Sequence, residues 1–287
     1  MDNKIQINFY CLGVQKAGTS TLFQLLKQHK DVFLPIDKEA HYFDWDRLYK
    51  PGLNWYYNKF FKNCHGEKII GTITPSYLYS EKVPNRIKVD IGEDIKFIVI
   101  LRNPAERAWS QYLMNVRDGI ENLAFEEAIK KEQKRIKESE YADLNFSYTN
   151  RGFYSKQLKR YFELFGSQNF LILSFEKDIV DNQQETMSKI CGFLNICAYD
   201  FDYSVNKNEF KPKKTKLEHI FRRIIGFTNK MAITKTEFGR VDNLFKSKTT
   251  KPKLKDSTRE HLLDNVFATE IIELSSLLKV DYKEIWS

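Results

Sequence analysis

Long apolar runs are scarce in these 287 residues. The longest, Phe97–Leu101 (FIVIL), has the length of a strand, whereas a membrane-spanning helix needs ~20 apolar residues; no transmembrane segment is expected. The amino terminus, MDNKIQINFYCLGV, has one lysine, a short apolar run and no small-residue cleavage site, so it does not read as a secretory signal. Only four cysteines occur (Cys11, Cys64, Cys191 and Cys197), without CxxC spacing. That argues against a zinc site or redox pair and points to buried free thiols in a reducing cytoplasm. Internal repeats and low-complexity linkers are also missing.

What is present suits a packed α/β protein. Hydrophobic residues make up 42% and aromatics 14% of the chain, far more aromatic content than a disordered chain carries. The length allows one large domain burying roughly 70–75% of its surface, and residues 1–287 are read as a single domain. The net charge of +8 is uneven. Val205–Lys255 holds 15 Lys/Arg against 4 Asp/Glu, a balance of +11, which leaves −3 for the rest. Such a segment can draw in an anionic ligand or cover one, and it can equally be a solvated loop region. No recognisable nucleic-acid-binding module accompanies it.

Strand-like and helix-like patterns alternate. Ile5–Leu12 alternates loosely, turns at Gly13, and is followed by TSTLFQLLKQH with Leu22, Leu25 and Leu26 on one helical face. Lys68–Gly71 is a second short strand, stopped at Thr74–Pro75. Ile95–Leu101 reads as a strand buried on both faces, leading through Asn103–Pro104 into a helix from Ala105 to Val116. Phe125–Glu138 is a charged helix. Gly152–Phe165 has Tyr154, Leu158, Tyr161, Phe162 and Phe165 at helical spacing. Phe170–Ser174 is another buried strand, and Gln183–Leu194 a further helix. Strands alternating with helices imply right-handed βαβ units around a parallel sheet. Ligands of such sheets bind beyond the carboxyl ends of the strands.

The loop after the first strand, Gly13-Val-Gln-Lys-Ala-Gly-Thr-Ser-Thr21, has the chemistry of an anion cradle. Glycine lets backbone N–H groups approach oxygens, the following helix offers its positive end, and Thr19, Ser20 and Thr21 add hydroxyl donors. It is not a Walker A loop, in which lysine directly follows the second glycine. Thr19 stands there, and the lysine, Lys16, sits inside the loop. The buried strand Phe97–Leu101 ends in Arg102 rather than a metal-binding acid. Arg102 offers a forked, permanently charged donor suited to phosphate, unless it pairs locally with Glu106. Ser110 lies on the helix that follows.

Together, KAGTSTL and LRNPAERAWSQY resemble the 5′-phosphosulfate loop and the 3′-phosphate segment of sulfotransferases that use PAPS (3′-phosphoadenosine-5′-phosphosulfate). The resemblance extends more loosely from Phe9 to about Leu194. It implies a P-loop-type three-layer sandwich with a central parallel sheet flanked by helices. It also implies that Lys16, Ala17, Gly18, Thr19, Ser20 and Thr21 hold the 5′ end of PAPS, and that Arg102 and Ser110 hold the 3′-phosphate. The product would be PAP, with no metal required.

A base is needed for the acceptor's proton. One family branch carries a Glu in a GE-x-[ST]-P segment, but the equivalent here, Gly71-Thr-Ile-Thr-Pro75, has Thr72, which cannot act as a base. Asp37-Lys-Glu-Ala-His-Tyr-Phe-Asp44 resembles the KE-x-H-[FY]-F-D segment of the branch that includes the heparan sulfate 3-O-sulfotransferases. The resemblance implies Glu39 as the base, with His41 and Asp44 supporting it or touching the acceptor, and Lys16 stabilising the departing phosphate. Glu39 could instead be a simple partner of a lysine, and His41 a structural hydrogen bonder. Thr74 and Tyr77 resemble a TP-x-Y loop near donor and acceptor, or form a plain turn. Trp45, Tyr49, Trp55, Tyr56, Tyr57, Phe60 and Phe61 could stack on sugar rings, or pack in the core. The expected enzyme is a bacterial-type soluble, cytoplasmic sulfotransferase acting on a hydroxyl or amine of a carbohydrate or other small acceptor. An ATP-dependent small-molecule kinase and a non-catalytic anion- or glycan-binding protein are the competing readings. The acceptor and the oligomeric state are not legible.

Overall fold

The computed structural model describes residues 5–206 and 252–287. Most of the basic segment, including Lys211–Lys216, lies outside the described residues. The chain divides into two compact units.

The first unit is built on five parallel strands in the order β2-β3-β1-β4-β5. They are β1 (Phe9–Gly13), β2 (Val32–Phe33), β3 (Ile69–Ile73), β4 (Lys96–Leu101) and β5 (Phe170–Ser174). Burial on both faces explains their nearly unbroken apolar sequences: β1 and β3 are buried at every position, and β4 at every position but its first. β1 lies at the centre, with β3 and β4 on either side. The chain therefore leaves β1 in one direction and later returns to its other flank. That reversal opens a crevice beyond the carboxyl ends of β1, β3 and β4, where α/β sheets bind ligands.

Helices α1 (Thr19–Leu26), α2 (Asp46–Tyr49), α3 (Leu53–Phe60) and α4 (Val83–Asp90) belong to this unit. On one face of the sheet, Phe97 of β4 stacks on Phe170 at 4.7 Å and meets Tyr161 and Phe165 of a later helix at 5.9 and 4.8 Å. Tyr10, Phe43, Tyr56 and Tyr77 continue this aromatic layer. Lys96 points with Ile98 and Ile100 to the other face, where its Nζ donates to the carbonyl of Phe193 at 2.7 Å. The sheet thus has helices on both faces, as the sequence implied.

The second unit begins with α5 (Pro104–Arg117), α6 (Phe125–Arg135) and α7 (Glu140–Phe146). Asn103 caps α5 by accepting from the amides of Ala105 and Glu106. Trp109 and Tyr112 stack at 5.2 Å and both pack on Phe125. Two buried charges are satisfied locally: Arg107 donates to Gln111 and to the Tyr148 carbonyl, and Glu132 accepts from the amides of Thr149 and Asn150. The chain then returns to the first unit with α8 (Tyr154–Phe165) and α9 (Gln183–Leu194), the helices behind the Phe97 and Phe193 contacts.

The elements differ in detail from the sequence expectation. β1 starts at Phe9 rather than Ile5 and includes Gly13, and β3 runs on to Ile73. The expectation of buried thiols holds for Cys11 and Cys191, whereas Cys64 is half-buried and Cys197 exposed. Two-residue β2 and the π-helical stretch Phe175–Asp181 have no clear period to read.

Gly71 leaves no room for a side chain in the sheet: a Cβ there would lie 1.9 Å from the carbonyl oxygen of Phe9, its partner across the ladder. The Gly71→Ala protein is expected to lose about 3 kcal/mol or more of unfolding free energy, because the β1–β3 ladder must separate to admit the methyl group. Urea denaturation of the two proteins checks this, and equal midpoints would contradict the strand register.

Candidate active site

The site is built from loops at the carboxyl ends of four strands. The loop after β1 is pinned from three sides. Val14 N–H donates to the Ile100 carbonyl at 2.8 Å, Ala17 N–H to the Val14 carbonyl at 3.2 Å, and Arg102 Nη1 to the Lys16 carbonyl at 2.6 Å. Lys16 adopts a left-handed backbone with φ of +73°, costing a residue with a Cβ about 1–2 kcal/mol. Gly18 follows at φ +81°, and a Cβ on it would meet Ile179 Cγ2 at 2.8 Å. Together these turns bring the chain sharply into α1.

Gly18 caps α1 without a side-chain hydrogen bond, and no acidic residue stands in the first turn. The first N–H groups of the helix therefore have no side-chain cap, and the positive end of the helix dipole faces the loop. Thr19 is nearly buried, Ala17 fully buried and Ser20 exposed. This arrangement fits the 5′ end of a phosphosulfate: a backbone cradle, flanking hydroxyls and no acidic residue in the first turn of the helix.

Arg102 has a second structural attachment, its guanidinium lying 4.5 Å from the Phe175 ring. It clamps the loop to the start of the segment after β5. Ser110 lies on α5 in the second unit, where it is buried.

The segment between β2 and α2 supplies the acid–base groups. His41, also left-handed at φ +49°, sits between two carboxylates. Its Nδ1 is 2.9 Å from Asp44 Oδ2 and its Nε2 is 3.4 Å from Glu39 Oε2. Both ring nitrogens face acceptors, so both carry protons. Burial by itself would lower the His41 pKa, but the hydrogen bonds to Asp44 and Glu39 outweigh it and push it up to about 9. For Glu39, burial alone would raise the pKa; the His41 hydrogen bond and the Lys38 ammonium overcome this and hold it at about 2. Glu39 is therefore ionised at neutral pH, the form a base requires, and its side chain stays 41% exposed.

Asp44 is fully buried beneath His41 and also accepts from Ser76 Oγ at 2.5 Å. Trp45 stacks on the His41 ring with centroids 4.2 Å apart and planes 11° from parallel, and Arg47 lies over the same indole at 4.7 Å. Thr74 and Tyr77 are completely buried. Thr74 Oγ1 accepts from Ala40 N–H and Tyr77 OH from Phe43 N–H, each at 3.3 Å. Their side chains thus hold the Glu39 segment against the sheet and present no surface of their own. Of the aromatic group considered for sugar stacking, Tyr56 and Phe61 are core residues, whereas Trp45 is half-buried beside the carboxylates.

Sequence reasoning missed two participants. Ser76 appeared only as part of the TP-x-Y turn, with no sign of its bond to Asp44. Lys38 was not singled out, Glu39 being set only against an unspecified lysine. Its Nζ reaches Thr19 Oγ1 at 3.1 Å, Ser20 Oγ at 3.2 Å and Glu39 Oε1 at 3.0 Å. The signal available was its place directly before Glu39. Among the described residues, no cluster of His, Cys, Asp and Glu could hold a metal ion, and no helix is long and apolar enough to cross a membrane.

The raised His41 pKa has a signed consequence for stability. The protonated ring contributes fully below its unfolded value of 6.5, and this contribution disappears as pH rises to about 9. Wild type should therefore lose unfolding free energy between pH 6.5 and 9 that His41→Gln does not lose. Denaturation at the two pH values measures it, and NMR titration of the ring should show a midpoint that falls in Asp44→Asn. A ring titrating near 6.5 in the wild type would contradict the assignment.

A family model described as the sulfotransferase domain matches residues 8–260. The chain is similar to human heparan sulfate glucosamine 3-O-sulfotransferase 3B1, 30% identical over 209 residues that cover 72% of this chain and 51% of the relative. It is similar as well to human heparan sulfate glucosamine 3-O-sulfotransferase 6, 30% identical over 190 residues covering 64% and 51% of the two chains. It spans about half the length of these curated relatives. Among solved structures, a sulfotransferase from Alicyclobacillus acidocaldarius matches with a TM-score of 0.73 and 25% identity, covering 98% of this chain and 99% of that one. With the family model spanning most of its length, the chain belongs to the sulfotransferase domain family.

Proposed function

We propose that the protein transfers the sulfuryl group of PAPS to a hydroxyl or amine of a carbohydrate or other small acceptor. The observation that supports this most is the meeting of two chemistries across Lys38: an uncapped, acid-free helix start that suits a phosphosulfate, and an ionised carboxylate held beside a protonated histidine.

Bound PAPS would supply the activated sulfuryl group; position and charge on the protein do most of the rest. The turn at Gly18 and the first amides and hydroxyls of α1 bind the 5′ end. Lys16 stabilises the negative charge left on the phosphate oxygen. Arg102 fixes the loop through the Lys16 carbonyl, and with Ser110 is assigned the 3′-phosphate by family resemblance.

Glu39 accepts the acceptor's proton. A carboxylate held near pKa 2 is a weak base in the free protein, because His41 and Lys38 stabilise its charge. Any lengthening of those contacts as the acceptor binds strengthens it as a base. His41 orients Glu39, while Asp44 and Ser76 orient His41 in turn. Trp45 beside His41 offers a flat surface for a sugar ring. The carbohydrate class rests on the KEAHYFD segment and on the curated relatives, whose names specify heparan sulfate glucosamine.

Radiolabelled sulfate from PAPS, tested over glycans, glycolipids and phenols, should appear in a glycan product. Glu39→Gln and Lys16→Ala should each lower turnover by about 10²–10³-fold while leaving Tm nearly unchanged. Label in none of these acceptors would refute the proposed reaction, and full turnover by Glu39→Gln would refute the base.

A further inference from the structure

Lys38 stands where the donor cradle and the base come together. Two of its three hydrogen bonds go to Thr19 Oγ1 and Ser20 Oγ in the first turn of α1, and the third goes to Glu39 Oε1. An ammonium has three donors, and here each one points at a group assigned to the reaction. Its side chain is only 18% exposed while Glu39 is 41% exposed, so the lysine lies deeper than the carboxylate it pairs with. The other two cations at the cradle are committed elsewhere: Arg102 grips the Lys16 carbonyl and the Phe175 ring, and Lys16 is assigned to the departing phosphate.

We propose that Lys38 is a second catalytic lysine, whose ammonium contacts the non-bridging oxygens of the sulfuryl group while that group moves from donor to acceptor. This rests on the sulfotransferase reading above. The S–O bond to the 5′-phosphate breaks, leaving its electron pair on the phosphate oxygen. A new S–O or S–N bond forms from the acceptor oxygen or nitrogen, and the acceptor's proton goes to Glu39. Charge on the sulfuryl oxygens must be balanced between those two events. Lys38 alone among the described cations has hydrogen bonds to both the α1 hydroxyls and the Glu39 carboxylate. It gives up those partners for sulfuryl oxygens, and in letting go of Glu39 it makes the carboxylate a stronger base at the moment one is needed.

The experiment compares wild type, Lys38→Met and Lys38→Arg by turnover with PAPS across pH, by calorimetric PAP affinity and by Tm. PAP lacks the sulfuryl group, so Lys38→Met should keep its PAP Kd within about threefold and its Tm nearly unchanged, yet lose about 10²-fold or more in kcat on the pH plateau. Lys38→Arg keeps the charge and should recover at least a tenth of wild-type kcat. Among the described residues, the charged groups paired with Glu39 are Lys38 and His41, and the charged group paired with Lys38 is Glu39, the Thr19 and Ser20 hydroxyls being its neutral partners. The acid limb of the Lys38→Met profile should therefore move to higher pH in addition to the plateau loss. A plateau kcat within threefold of wild type, with only the acid limb moved, would reduce Lys38 to a partner of Glu39 and overturn the proposal. A parallel collapse of PAP affinity would place it in the phosphate cradle instead and overturn it as well. A wild type that binds no PAP and transfers no sulfate would overturn the underlying reading, and this proposal with it.

Discussion

The hydrogen bond from Arg102 to the Lys16 carbonyl, 2.6 Å long, joins the ends of two neighbouring strands. It helps to hold the left-handed turn at Lys16, a conformation disfavoured by about 1–2 kcal/mol for a residue with a side chain. With it, the loop after β1 is fixed to the end of β4, and α1 starts directly over the crevice. Two further backbone bonds, Thr74 N–H to the Cys11 carbonyl and Leu78 N–H to the Leu12 carbonyl, fasten the loop after β3 to the same central strand. Thr74 and Tyr77 then hold the Glu39 segment through its backbone amides. Glu39, the proposed base, is thus placed by a chain of contacts leading back to the strand that precedes the Gly13–Thr21 loop.

Electrostatics at the site follow from that geometry. A buried carboxylate, Asp44, keeps His41 protonated; His41 and Lys38 keep Glu39 ionised. The alternation of negative, positive, negative and positive groups lets partly buried charges coexist, because each has a hydrogen-bonded partner of opposite sign. The same alternation ends at Lys38, beside the helix start that attracts an anion. In the proposed reaction, acid–base chemistry and anion binding are therefore parts of one charge arrangement.

Much of the architecture was legible because it depends on local pattern. FLILS and FIVIL both read as buried strands and are strands, although β5, last in the strand order, is only half-buried over its first three residues; the 3.6-residue spacing of Tyr154, Leu158, Tyr161 and Phe165 marks α8. The helix Val83–Asp90 escaped notice, its apolar face being reduced to Val83, Pro84 and Ile87 in a charged stretch. At the site, the Glu39–His41–Asp44 spacing was readable as a motif. The roles of Ser76 and of Thr74 and Tyr77 were not, since each acts on a residue more than 30 positions away. Arg102 shows the same limit. Its hydrogen bond to the Lys16 carbonyl spans 86 residues and ends on the backbone, where no residue type signals it.

The central claim is that the Gly13–Thr21 cradle receives a 5′-phosphosulfate and not a magnesium nucleotide. Calorimetric titration of the full chain with PAP and with ATP, each with and without magnesium, tests it directly. The account predicts that PAP binds equally well with or without the metal, and at least about tenfold more tightly than ATP, a difference of ~1.4 kcal/mol. Tighter binding of ATP that depends on magnesium would contradict it.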